Sequence, residues 1–153
     1  NQHKAWRRRA VQLASVGAGE TCLDVCTGTG DFAVDLAAAV GRWGRVVASD
    51  FCEPMVRNGQ SKMTQAPGGP ISMMVANAER LPYPTGVFDV CTVGCGIRNV
   101  AHIDRAVSEM TRVIRPGGRV DHVAPGKHDD GVVARSRADE RVGCSGRDVE
   151  IIR

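Results

Sequence analysis

Aromatic side chains are scarce in this 153-residue sequence: two Trp, one Tyr and three Phe make up 4% of it, and none follows Phe88. Any core in the last part of the chain would therefore have to be aliphatic, and from about Gly126 the aliphatic pattern fails too. No window approaches the ~18 apolar residues needed to cross a bilayer. The basic opening "NQHKAWRRRA" is not followed by an apolar signal core. These absences argue against a membrane span and a secretory signal, and a reducing cytoplasmic setting is the expectation. An excess of one charge is also missing, since 20 Lys and Arg face 17 Asp and Glu for a formal net charge of +3. That balance lends no support to nucleic acid as a partner, which calls for a clustered basic surface. Cys22, Cys26, Cys52, Cys91, Cys95 and Cys144 include no pair at C-x-x-C spacing. No metal site is expected, and the cysteines read as small buried hydrophobes.

With 42% hydrophobic residues the chain is long enough for one domain with a core. Trp6, Ala10, Leu13 and Ala14 recur at helical spacing, with Arg7, Arg8 and Arg9 on the other, solvated faces. "TCLDVCT" then reads as a strand, "GTG" as a turn, and "DFAVDLAAAV" as a helix with Phe32, Leu36, Ala37 and Val40 on one face. The unit repeats through the strand "RVVASDF", a helix opening at Pro54, the strand "ISMMVANA", a Pro-rich loop and the strand "VFDVCTVGC". Ile103, Ala106, Val107, Met110, Val113 and Ile114 predict a further helix, running until Pro116-Gly117-Gly118 stops it. Alternating strands and helices imply an α/β fold with a doubly wound parallel sheet, covered on both faces.

Ligands of such sheets bind beyond the carboxyl ends of the strands, near the point where strand order reverses. At the end of the first strand Gly28 and Gly30 let the backbone turn sharply and approach a ligand. Gly28-x-Gly30-x-x-Ala33 also satisfies a dinucleotide fingerprint, with Asp50 twenty residues beyond Gly30 to hold a ribose. Asp31 decides between the two cofactors, because a pyrophosphate would sit at that helix N-terminus. A carboxylate ~4 Å from a phosphate charge costs about 1 kcal/mol if solvated and ~4 if partly buried. Asp24 argues the same way. S-adenosyl-L-methionine has no phosphate and presents a ribose, an adenine, an amino acid head and a sulfonium. Asp31 also suits the helix dipole, by ~0.3–1 kcal/mol, which is compatible with that cofactor. Asn77 and Ala78 end the third strand, where an amide could read the adenine edge and a small residue leaves space, although Asn at a strand end also forms turns.

The segments "LDVCTGTGD", "VVASDF", "ANAERLPYP", "VFDVCTVGCGIRNV" and "EMTRVIRPGGR" occur in order. Together they resemble the class I S-adenosylmethionine-dependent methyltransferases of ubiquinone and menaquinone biosynthesis, over about Trp6 to Arg119. The resemblance implies a Rossmann-like fold, a cytoplasmic C-methyltransferase and a prenylated quinol as substrate. It implies that Thr29 in the glycine turn, Asp50, Asn77 and Ala78 contact the methyl donor, with Gly94 against it. Peripheral contact with a membrane to reach the substrate, and a homo-oligomer, stay open. Arg98 and Asn99 follow the fourth strand at Gly94 and Gly96, on the rim where donor and acceptor meet. Arg98 would stabilise the phenolate formed on the quinol, directly or through a water, and Asn99 would orient the ring oxygen. The competing reading is that both cap the loop and pair with local carbonyls. His102 has the pKa of a general base but the position of a helix cap, and the family motif does not demand it. A nicotinamide-dependent oxidoreductase and a non-catalytic remnant are the alternatives.

Departures from the family pattern lie at Cys95, where Phe is usual, and at Gly59, in a helix that family members fill with better helix formers, at ~1 kcal/mol relative to Ala. After "GGRV", Asp121 and His122 fall within the expected fifth strand. The chain therefore reads as an amino-terminal portion with an incomplete sheet: a partial cofactor-binding domain over 1–125 and a divergent, poorly ordered tail over 126–153 that supplies no closing strands.

Overall fold

The structure, a computed structural model, describes residues 2–124, 132–137 and 149–152. Helix α1 (Gln2–Leu13) is followed by β1 (Thr21–Val25), α2 (Asp31–Val40), β2 (Arg45–Asp50), α3 (Glu53–Gln65), β3 (Ile71–Val75) and β4 (Phe88–Val93). A short 3₁₀ helix over Cys95–Asn99 leads to α4 (Ile103–Val113), β5 (Ile114–Ala124), β6 (Val132–Arg137) and β7 (Val149–Ile152). The strands form one sheet in the order β3-β2-β1-β4-β5-β6-β7. Strands β1 to β5 are parallel, whereas β6 and β7 run antiparallel to their neighbours. This is the expected Rossmann-like α/β architecture, and its strand order reverses between β1 and β4.

Both faces of the central strands are buried, as their unbroken apolar runs demand. On one face Ala33, Leu36, Ala37 and Val40 of α2 pack on Cys22, Val46, Ala48 and Val90. On the other, Ala106, Met110 and Val113 of α4 pack on Leu23, Val25, Cys91 and Val93. Burial takes Cys22 and Cys91 as expected, but Cys52 is exposed. Ile103 and Val107, expected on the core face of α4, are 47% and 39% exposed. In α1, Ala10 and Leu13 are buried, as is Ala14 just beyond it, while Arg7 is pinned by Asp35 of α2 at 2.9 Å rather than solvated. Among the described residues no helix is long and apolar enough to cross a membrane.

Two expectations need correction. Helix α4 ends at Val113, because the β-branched Ile114 already pairs with Phe88. The exposed carbonyls of its last turn are met from outside, Arg112 by the Gly86 amide at 3.0 Å and Val113 by the Val87 amide at 2.8 Å. Second, closing strands are present: β6 pairs with β5 from Arg119↔Arg137 to Ala124↔Val132, and β7 pairs with β6. Asp121 is the reason a charged segment fits there. Its carboxylate is fully buried and accepts two bonds from Arg135, at 2.8 and 3.2 Å. The Arg135 guanidinium also donates to the carbonyls of Leu13 and Ala14, and Arg119 donates to those of Ala14 and Ser15. Two arginines from the sheet thus satisfy the C-terminal end of α1, where the backbone dipole favours cations. The rest of the expected 126–153 tail, including Cys144, falls in 125–131, 138–148 and 153, outside the described residues.

Candidate functional site

At the end of β1 the chain enters a turn in which Cys26, Gly28 and Gly30 have φ of 56°, 61° and 78°. Left-handed backbone is open to glycine but costs roughly 1–2 kcal/mol at an L-residue such as Cys26. The turn is therefore fastened from several sides. The Thr27 hydroxyl donates to Asp24 at 2.6 Å, the Thr27 amide to the Ser49 carbonyl at 3.0 Å, and the Gly28 amide to Asp50 Oδ2 at 2.8 Å. The other oxygen of Asp50 accepts the Cys52 amide at 2.8 Å. Each oxygen retains a further lone pair, so an acid at the end of β2 is both anchored and able to accept from a ligand.

Asp24 is buried beneath this turn and also accepts the Thr92 hydroxyl at 2.7 Å. Burial pushes its carboxyl up from 3.8 to about 6, against the downward pull of the two threonine hydroxyls. The folded protein then keeps, between pH 3.8 and about 6, a proton that the unfolded chain has released. This contribution to stability falls as pH rises through that window and stays low above it. Asp24→Asn, which has no carboxyl to titrate, should flatten that slope between pH 4 and 7. Urea unfolding at pH 4 to 7 measures this, and a variant with the parental slope would clear Asp24 of the effect.

A cavity of about 560 Å³ opens beyond the strand ends, lined among others by Cys26, Gly28, Asp50, Asn77, Ala78, Gly96 and Asn99. Of the residues singled out in the sequence, Gly28, Asp50, Asn77, Ala78, Gly96 and Asn99 line this one cavity. Thr29, Gly30, Gly94 and Arg98 adjoin it without forming it. Asn77 does form a turn, its Oδ1 accepting the Glu79 amide at 2.9 Å, which leaves its Nδ2 to donate elsewhere. Phe51, Cys52, Met55, Glu79, Val100 and Ala101 also line the cavity. Their only sequence signal was adjacency to Asp50, Asn77 and Asn99. His102 is an exposed helix cap whose Nδ1 lies 2.9 Å from Glu79, and it does not line the cavity.

Two details could not be read from the sequence. Asp31 is paired with Lys62 of α3 at 2.8 Å, so its charge repels a phosphate less than an isolated carboxylate would. Gly59 is required by close approach: a Cβ there would lie 2.7 Å from the Thr29 carbonyl oxygen and 2.8 Å from Met73. The helix-propensity cost of this glycine is thus the condition for seating α3 against the turn.

Residues 1–129 match the sequence model of the ubiE/COQ5 methyltransferase family. The chain belongs to that family. The demethylmenaquinone methyltransferase of Shouchella clausii is 43% identical over 119 residues, covering 78% of this chain and 51% of that protein. That of Bacillus cereus is 41% identical over 119 residues, with 78% and 50% coverage. This member of the family thus spans about half the length of the curated relatives it matches. A SAM dependent methyltransferase from Aquifex aeolicus shares the fold, with a TM-score of 0.72 at 22% identity, over 77% of this chain and 63% of that one.

Proposed function

We propose that the chain binds S-adenosylmethionine in this cavity and serves methyl transfer to a ring carbon of a prenylated quinol. The demethylmenaquinone methyltransferases among its relatives favour a naphthoquinol acceptor. The observation that carries the reading is the convergence on one cavity of Asp50, held by two backbone amides, with Asn77, Ala78 and Asn99. These residues fit the cofactor. Asp50 accepts from the ribose hydroxyls, Asn77 Nδ2 donates to the adenine edge, Ala78 leaves room for the ring, and the Gly28 turn admits the backbone. When bound, the cofactor supplies an electrophilic methyl group on a sulfonium sulfur.

The acceptor must lose a phenolic proton for its ring carbon to become nucleophilic, and the chain must hold the charge that results. Arg98 and Asn99 are suited to this because, among the described residues, neither side chain has a hydrogen bond or ion pair, local carbonyls included. Asn99 lines the cavity and orients the ring oxygen. Arg98, exposed on the same 3₁₀ helix, presents a planar fork to the phenolate directly or through one water. A prenylated acceptor partitions into a bilayer, so contact with a membrane surface is part of the proposal.

Methyl transfer to a demethylmenaquinol analogue, followed by mass spectrometry, tests the function. Arg98→Ala should lower turnover by roughly a hundredfold, as loss of an oxyanion donor does, with cofactor affinity nearly unchanged. Arg98→Lys keeps the charge but not the fork, and its defect should approach that of Ala. An Arg98→Ala protein with full turnover and weakened cofactor binding would refute the acceptor-side role.

A further inference from the structure

We infer that Lys62 is a positioning residue of the glycine turn, tying Thr29 and Asp31 to α3 and so setting the turn shape on which cofactor affinity depends. The inference rests on the binding reading above and adds to it a residue that forms no part of the cavity wall.

The turn from Cys26 to Gly30 alternates left-handed with ordinary residues, a conformation that short-range preferences do not maintain. Most of its positions are held by β1, β2 or the turn itself: Thr27 by Asp24 and Ser49, Gly28 by Asp50, and Gly30 by its amide bond to the Thr27 carbonyl at 3.0 Å. Thr29 is held from α3 instead. The Lys62 ammonium donates to Thr29 Oγ1 at 3.0 Å and to Asp31 Oδ1 at 2.8 Å. Gly59, one helical turn earlier, lets the helix backbone come up to the Thr29 carbonyl. Residues i and i+3 of a helix share a face, so one face of α3 supplies both the close contact and the cation.

As a surface ion pair this contact would matter little. Lys62 and Asp31 are 39% and 52% exposed, and such pairs contribute close to nothing to global stability. Its weight lies in where it acts. The bridged residues immediately flank Gly30, whose left-handed backbone precedes α2 without any side-chain cap. Losing the bridge frees the Thr29 hydroxyl and leaves the Asp31 charge unmatched at the start of α2.

Lys62→Met tests this because it retains the aliphatic stem and removes the donors. In ligand-free protein, hydrogen exchange at the Gly30 amide should accelerate by roughly tenfold, with the β2 amides unchanged. Calorimetry should show S-adenosylmethionine binding weakened by about tenfold, the scale of one charge-assisted bond. Lys62→Arg should recover most of both effects, and adding Thr29→Val to Lys62→Met should cost little further, since the Lys62–Thr29 bond is already gone. Parental exchange at Gly30 in Lys62→Met, or fully additive losses in the double variant, would overturn the inference. Failure of the parent itself to bind the cofactor would instead defeat the binding reading, while the exchange measurement would still decide the role of Lys62.

Discussion

Asp50→Ala should reduce affinity for S-adenosylmethionine by at least about a hundredfold. Two ribose hydroxyls donating to a carboxylate amount to roughly 1.5–3 kcal/mol each. The loss is compounded because the same carboxylate anchors the Gly28 and Cys52 amides, at 2.8 Å each. Removing it releases the turn at its middle and leaves two backbone donors without their partner. Asp50→Asn separates these roles. It retains one acceptor oxygen and lacks the charge, so an intermediate loss is expected. Titration calorimetry on the three proteins reads the series directly, with NADH as the control ligand for the dinucleotide alternative. Parental affinity in Asp50→Ala would remove Asp50 from the cofactor site, and saturable NADH binding would favour the oxidoreductase.

The second large effect concerns stability. Asp121→Ala should destabilise the protein by about 3–5 kcal/mol, the usual result of stripping one partner from a buried ion pair. Asp121 is fully buried, and Arg135 is 7% exposed, so the guanidinium left behind keeps only the carbonyls of Leu13 and Ala14. Domains of this kind are held by roughly 5–15 kcal/mol in total, so a large part of the margin goes. Asp121→Val with Arg135→Met should recover most of the loss, since Arg119, 3.4 Å from Asp121, keeps Glu20 at 3.1 Å and no charge is left unpaired. Urea unfolding compares the two. If Asp121→Ala lies within about 1 kcal/mol of the parent, β6 is not secured by this pair.

The order of strands and helices from α1 to β5 was legible in the sequence because it is written in local periodicity. "RVVAS" closing on Asp50 marks a buried parallel strand, and Ala106, Met110 and Val113 mark the inward stripe of α4. The residues at strand ends were legible for the same reason. In a parallel sheet all carboxyl ends face one way, so Gly28, Asp50, Asn77 and Asn99 had to gather at one edge. The end of α4, by contrast, came at Val113, two residues before the expected stop at Pro116-Gly117-Gly118. Its displacement came from a neighbour, since the ladder to Phe88 claimed Ile114.

What the periodicity cannot carry is pairing between distant charges. Asp121 in isolation looks like a misfit in a strand, and "VVARSR" looks like an unstructured polar stretch. Only the antiparallel register, with Asp121 opposite Arg135 and α1 ending above them, makes each the solvation of the other. Asp31 likewise reads as a bare acid until α3 brings Lys62 to it, and Gly59 reads as a weak point until its neighbour is the Thr29 carbonyl. Local preference is a property of a residue and its near neighbours, whereas the worth of a buried charge or a missing side chain depends on what the fold sets against it. The sequence by itself determined the elements and the edge at which the site forms; the tertiary structure decided which charges are matched, which strands close the sheet and which side chains remain free to act.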